Sequence, residues 1–181
     1  MGSPQVVTKH INDDAIALLV NDHREIESMI DSIENEFDTP EERREALDEL
    51  LEEVGRNVAV EELILYPAIA RAAGEDAVDA ALERTSSIRE LLAAIEGTSE
   101  NGGDNTLLTT LIEEVRDHFE DEESTLFAIV TELLAEKDLD RLAVEIAVAK
   151  ETVSPEVDLD RSPVQRLRDA IARRSQTTTG D

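Results

Sequence analysis

Apolar residues recur at helical spacing along almost the whole chain, and nowhere do they alternate for long enough to make a strand. The first run, Ile16, Leu19, Val20, Ile26, Met29, Ile30 and Ile33, follows Asn12-Asp13-Asp14, a capping residue with acids where they complement the helix dipole. It predicts a helix from there to about Phe37. A second run, from Leu47 through Leu50, Leu51, Val54, Val58 and Leu63 to Ile69, lies behind Thr39-Pro40-Glu41-Glu42, which supplies a capping threonine, proline at the first helical position and a capping-box glutamate. This helix continues to about Ala73, where Gly74 ends it, and Pro67 is expected to kink its last turns. A third run (Val78, Leu82, Ile88, Leu91, Leu92, Ile95) predicts a helix over 76–96, the Gly-rich stretch 97–104 a loop, and the next pattern a helix over 106–136.

Four long helices joined by short loops predict an all-α protein, an up-down-up-down four-helix bundle over residues 12–137. Residues 1–11 read as an arm. After the bundle, 138–153 form an additional packed helix, with Leu142, Ile146 and Ala149 on one stripe, and 154–163 form a linker bounded by prolines. A short basic amphipathic helix follows over 164–175, with Val164, Leu167 and Ile171 on one side and Arg166, Arg168, Arg173 and Arg174 among the rest. It docks back on its own bundle, frays in solvent, or meets a membrane or partner. Residues 176–181 read as a disordered tail.

Composition narrows the chemistry. With 44 acidic against 17 basic residues the formal net charge is -27, which argues against nucleic acid or an anionic membrane as the main partner. The acids interleave with apolar residues, so they describe a solvated surface rather than an acidic tail. Lysine is confined to Lys9, Lys137 and Lys150. The excess of acid suits a salt-rich cytoplasm, although GC-rich coding gives the same preference for arginine. There are no cysteines, so any metal must use nitrogen and oxygen ligands. The chain shows neither a transmembrane run nor the apolar core of a signal peptide, which places it in the cytoplasm.

Candidate ligands lie in the first, second and fourth helices. His118 and Glu122 are four apart and share one helix face, a spacing that suits iron, zinc or manganese and also arises by chance on acidic helices. His23 sits at the margin of the first helix's apolar face. Helix two carries Asn57 four residues before Glu61-Glu62, and helix four carries His118 four before Glu122-Glu123. Apolar residues and an aromatic follow at matching offsets, Leu65-Tyr66 in one and Leu126-Phe127 in the other, which makes an internal repeat of helix hairpins.

These motifs, with Asn21-Asp22-His23-Arg24-Glu25 in helix one and Ser87-Ile88-Arg89-Glu90-Leu91-Leu92 in helix three, resemble the hemerythrin-like HHE cation-binding domain over about residues 12–174. The resemblance implies a bundle holding a non-haem di-iron centre, with a histidine each from helices one and three and His-x-x-x-Glu from two and four. Carried across, it assigns His23, Glu61, His118 and Glu122 as metal ligands. Two positions depart: Asn57 and Thr85 stand where the family has histidine. Their amide oxygen and hydroxyl are weak ligands for Fe(II), so each metal loses one imidazole. Glu53, one turn before Asn57, is a carboxylate that could be recruited or could face water.

Three readings follow. In the first, the chain is a cation-binding protein with a ligand-poor non-haem iron site. That site is a weak dinuclear centre or one ion on His23, His118 and a glutamate, and it binds or senses O2, NO or peroxide. In the second, the bundle has dropped metal and serves as a structural or protein-interaction module. The third is a non-haem iron oxidase or peroxidase, against which stands the lack of any substrate-pocket signature.

Overall fold

The computed structural model describes residues 15–35, 39–98, 105–154 and 163–177, and the regular elements among the described residues are all helical. They are α1 (Ala15–Asn35), α2 (Pro40–Val60), α3 (Tyr66–Ala73), α4 (Asp79–Thr98), α5 (Asn105–Asp121), α6 (Phe127–Leu133), α7 (Glu136–Thr152) and α8 (Pro163–Thr177). The all-α architecture expected from periodicity is what the chain forms. The Asn12-Asp13-Asp14 cap, Phe37, and the bulk of the arm, linker and tail lie outside the described residues.

Local chemistry explains the boundaries. Thr39 caps α2 by accepting from the Glu42 backbone amide at 3.2 Å, and its hydroxyl donates to Glu42 Oε2 at 2.9 Å. Gly74, at φ 102, adopts the left-handed region after α3, where a side chain would be strained. The fourth predicted helix ends earlier than expected. Leu134 is extended, its amide still bonded to the Val130 carbonyl, and α7 starts directly at Glu136. At the C-terminus, Pro163 opens α8, so helix begins where a linker residue was expected and runs on to Thr177.

The expected kink at Pro67 takes another form. Residues Glu61–Leu65 make a turn of π-helix between α2 and α3, in which the Tyr66 amide reaches five residues back to the Glu61 carbonyl. An equivalent π turn, Glu122–Leu126, separates α5 from α6, with the Phe127 amide on the Glu122 carbonyl. The second has Ala128 where the first has Pro67, so proline is not what makes the turn. Each π turn begins at the first glutamate of its Glu-Glu pair.

Two apolar clusters build the core. One gathers Ile26, Ile30 and Ile33 with Val54, Val58, Ile88, Leu92, Leu111 and Val115; the other gathers Leu19, Leu65, Ile69, Val78, Leu82, Phe127, Val130, Leu142 and Ile146. Full burial of such side chains contributes about 1.5–3 kcal/mol each. Along every bundle helix, buried polar residues fall between the two clusters: Asp22 and His23 on α1, Asn57, Glu61 and Glu62 around the end of α2, Thr85 and Arg89 on α4, and His118 and Glu122 around the end of α5. The bundle is thus two apolar layers separated by a polar one.

The two later helices close this layer from outside. α7 packs on α1, α2 and the first π turn, burying Leu142, Ala143, Ile146 and Ala149. α8 packs on α3, α4 and the same π turn, with Leu167 and Ala170 buried.

Candidate metal centre

Within the polar layer, one donor atom from each of His23, Glu61 and Glu122 lies within 4.8 Å of the others, and all three residues are buried. His23 Nε2 stands 3.4 Å from Glu122 Oε2 and 3.7 Å from Glu61 Oε1, and neither approach has hydrogen-bond geometry. Donors on one ion at ~2.1 Å sit roughly 3.0–3.4 Å apart, so these separations are close to those of a shared metal. His23 Nε2 and Glu122 Oε2 are buried without a hydrogen-bond partner, although such groups cost about 1–3 kcal/mol when left unsatisfied. One imidazole and two carboxylates suit a first-row divalent cation, and a cation would satisfy both atoms.

His118 approaches from α5. Its Nε2 is 2.9 Å from Glu61 Oε2, in hydrogen-bond contact, and 3.9 Å from Glu122 Oε2. Asn57 Nδ2 donates to Glu61 Oε1, so this residue acts as a donor to the carboxylate. The Tyr66 hydroxyl is fully buried and donates to Glu122 Oε1 at 2.7 Å, reaching from one half of the repeat to the other.

Other residues hold His23 in place, and sequence reasoning assigned none of them a role at the site. His23 Nδ1 lies 3.0 Å from Glu123 Oε1, and a carboxylate there fixes the ring so that Nε2 faces the cluster. Arg24 in turn donates to Glu123 Oε2 at 2.8 Å. Phe119 stacks on the imidazole with ring centroids 3.8 Å apart and planes 11° from parallel, and Phe127 lies at 5.7 Å. The only sequence signal for Glu123 was its place in the Glu-Glu pair.

Thr85 is not directed at the cluster. Its hydroxyl reaches Glu62 Oε1 at 2.8 Å and the Leu82 carbonyl at 3.2 Å. Glu62 also accepts from Arg89, with Nη2 3.1 Å from Oε2, and from Arg166 of α8, with Nε 3.0 Å from Oε2. The buried second glutamate of the first half therefore joins α4 and α8 to the bundle. Glu53 stays outside the cluster and pairs with Arg56.

The metal-free electrostatics follow from crowding. Burial disfavours the charged form of His23, but Glu122 and Glu61 outweigh it and push its pKa up to about 10. For Glu61, burial acts upward and is overcome by His118 and His23, which bring it down to about 2. Burial raises Glu122, and the Glu61 charge adds to the effect. His118 is raised, burial being outweighed by the two carboxylates. Burial and both carboxylates keep the Tyr66 proton in place well above its ordinary range.

A comparison across protein families matches residues 14–130 to the hemerythrin HHE cation-binding domain. The chain belongs to that family. Hemerythrin-like domains bind metal ions, and His23, Glu61 and Glu122 form a group that could hold one in this chain. A DNA nickase from Nostoc sp. strain PCC 7120 is 25% identical over 133 residues, covering 73% of this chain and 38% of that protein. The chain therefore spans little more than a third of that relative's length. No solved structure matches. Among the described residues, no helix of this hemerythrin-like chain is long and apolar enough to cross a membrane.

Proposed function

We propose that this hemerythrin-like chain holds a single non-haem iron on His23, Glu61 and Glu122, with His118 fixing Glu61 from the side, and binds or senses a small ligand such as O2, NO or peroxide there. The observation that carries the reading is the convergence of three buried donors, two of them with an atom lacking any hydrogen bond. Bound iron with open positions supplies coordination of a diatomic molecule or peroxide.

The protein's residues supply the rest. Glu123 and Arg24 orient His23, Phe119 and Phe127 shield it from water, and Tyr66 holds Glu122 by a donated hydrogen bond. One ion fits better than two. Asn57 is engaged as a donor to Glu61, Thr85 is engaged with Glu62, and the guanidinium groups of Arg89 and Arg166 beside Thr85 repel a second cation. The DNA chemistry named for the Nostoc protein is not carried across, because a chain of net charge -27 repels a phosphate backbone.

Iron content per chain, measured after preparation without chelator and again after anaerobic Fe(II) addition, tests the proposal. A single equivalent is expected, abolished by His23→Ala and weakened by His118→Ala. Exposure to O2 or NO should then change the optical spectrum. Absence of iron under both conditions would overturn the reading. It would favour a metal-free interaction module, for which the hydrogen bonds already made by three of the four Glu61 and Glu122 oxygens are the supporting observation.

A further inference from the structure

Outside the centre, α1, α2 and α7 border a cleft of about 380 Å³. Asn57 lines it and is 6% exposed. Its Nδ2 donates to Glu61, while its Oδ1 is a buried acceptor with no hydrogen-bond partner. An acceptor in that state calls for a donor or a cation. Asn57 also stands directly between the cleft and a carboxylate of the centre.

The cleft carries Asp22, Glu25, Glu53 and Glu151 against Arg56 and Lys150, so an excess of negative charge remains. Both basic groups are engaged by acids. Lys150 Nζ pairs with Asp22, and Arg56 pairs with Glu53 and Glu52. Ion pairs at a partly open site exchange partners readily, and acidic clefts with low-dielectric walls concentrate cations.

We propose that this cleft is the route by which a divalent cation reaches the centre: Glu25 and Glu151 gather the ion, Asp22 and Glu53 accept it in place of Lys150 and Arg56, and Asn57 Oδ1 passes it to Glu61. The inference rests on the metal-centre reading above. Asparagine is suited to this step because its neutral amide oxygen binds a cation weakly enough to release it to a carboxylate.

The test is the rate of Co(II) uptake by the metal-free full chain, read by visible absorption in a stopped-flow instrument, with final cobalt content as a separate readout. Asp22→Asn combined with Glu53→Gln should slow uptake about ten-fold while leaving the final content unchanged. Glu25→Lys with Glu151→Lys, at exposed positions that do not threaten folding, should also slow it, less so as salt is raised. Lys150→Gln should speed it. Glu113→Lys, exposed on α5 and away from the cleft, controls for overall charge and should leave the rate unchanged. Wild-type rates in both cleft variants, or an equal slowing by Glu113→Lys, would overturn the route and leave the centre standing. Failure of the wild-type chain to take up cobalt overturns both. If the Asp22 and Glu53 variant does not fold, the exposed pair decides.

Discussion

The two π turns begin with the same Glu-Glu pair and put the second glutamate to opposite uses. Glu62, with a side chain 3% exposed, is enclosed by Thr85, Arg89 and Arg166 and anchors α8. Glu123, 27% exposed, reaches across to α1, where it orients His23 and accepts from Arg24. The first glutamates, Glu61 and Glu122, stay together at the centre. The repeated motif thus brings its first acids together and sends its second acids to different partners. What packs outside each turn made the difference: α7 and α8 cover the first, with Thr85 and Arg89 of α4 reaching Glu62, while the second meets a helix face with a nearby histidine.

The largest expected effect comes from removing the anchor. Glu62→Leu removes the buried acid that Arg89 and Arg166 share and should cost about 3–5 kcal/mol, seen as a lower midpoint in urea unfolding. Early proteolysis of α8 should accompany it. If iron content per folded chain fell in proportion as well, the division of labour between the two acids would be wrong.

Glu123→Gln is the matching change in the other half. It should weaken metal affinity about 10–100-fold through loss of ring orientation, with a stability change within about 1 kcal/mol because the group is partly exposed. Competition with a coloured chelator measures the first and thermal unfolding of the metal-free protein the second. An equal loss of stability in the Glu62 and Glu123 variants would erase the contrast.

Alkali acts on the centre, because the described partners of Glu62, namely Thr85, Arg89 and Arg166, include no imidazole to titrate. With His23 raised to about 10 in the folded metal-free protein, its charge contributes stability fully below its unfolded value near 6.5. That contribution is lost as pH rises through about 10. Metal competes with the proton for Nε2, so the gain in melting temperature on adding metal should grow with pH across this window. A gain that shrank across the same window would contradict the assignment of Nε2 as a ligand.

The smallest effect is expected at the residue that links the halves. Tyr66→Phe removes one donor to Glu122 and should destabilise the metal-free protein by about 1 kcal/mol. A far larger loss would show that Tyr66 organises the cluster instead of completing it.

Much of this molecule was legible from residue spacing. Helical periodicity predicted the bundle, and the paired offsets of Asn57, Glu61, His118 and Glu122 predicted an internal repeat. The departures at Asn57 and Thr85 were legible too, but their consequence was not. Asn57 was weighed as a poor ligand and is a hydrogen-bond donor; Thr85 was placed at a metal and bonds Glu62. Arg166 read as basic surface because an arginine beside an apolar stripe usually faces water. Only its docked helix shows a buried acid waiting for it.

The sequence by itself determined the helices and the repeat and named a short set of candidate ligands, because periodicity and functional groups are local. Tertiary structure decided how the two identical Glu-Glu pairs divide their roles and which donor atoms are left unsatisfied. Those depend on which helix covers each π turn and on which groups meet in the polar layer, and contacts between residues far apart in the chain leave no trace in local spacing.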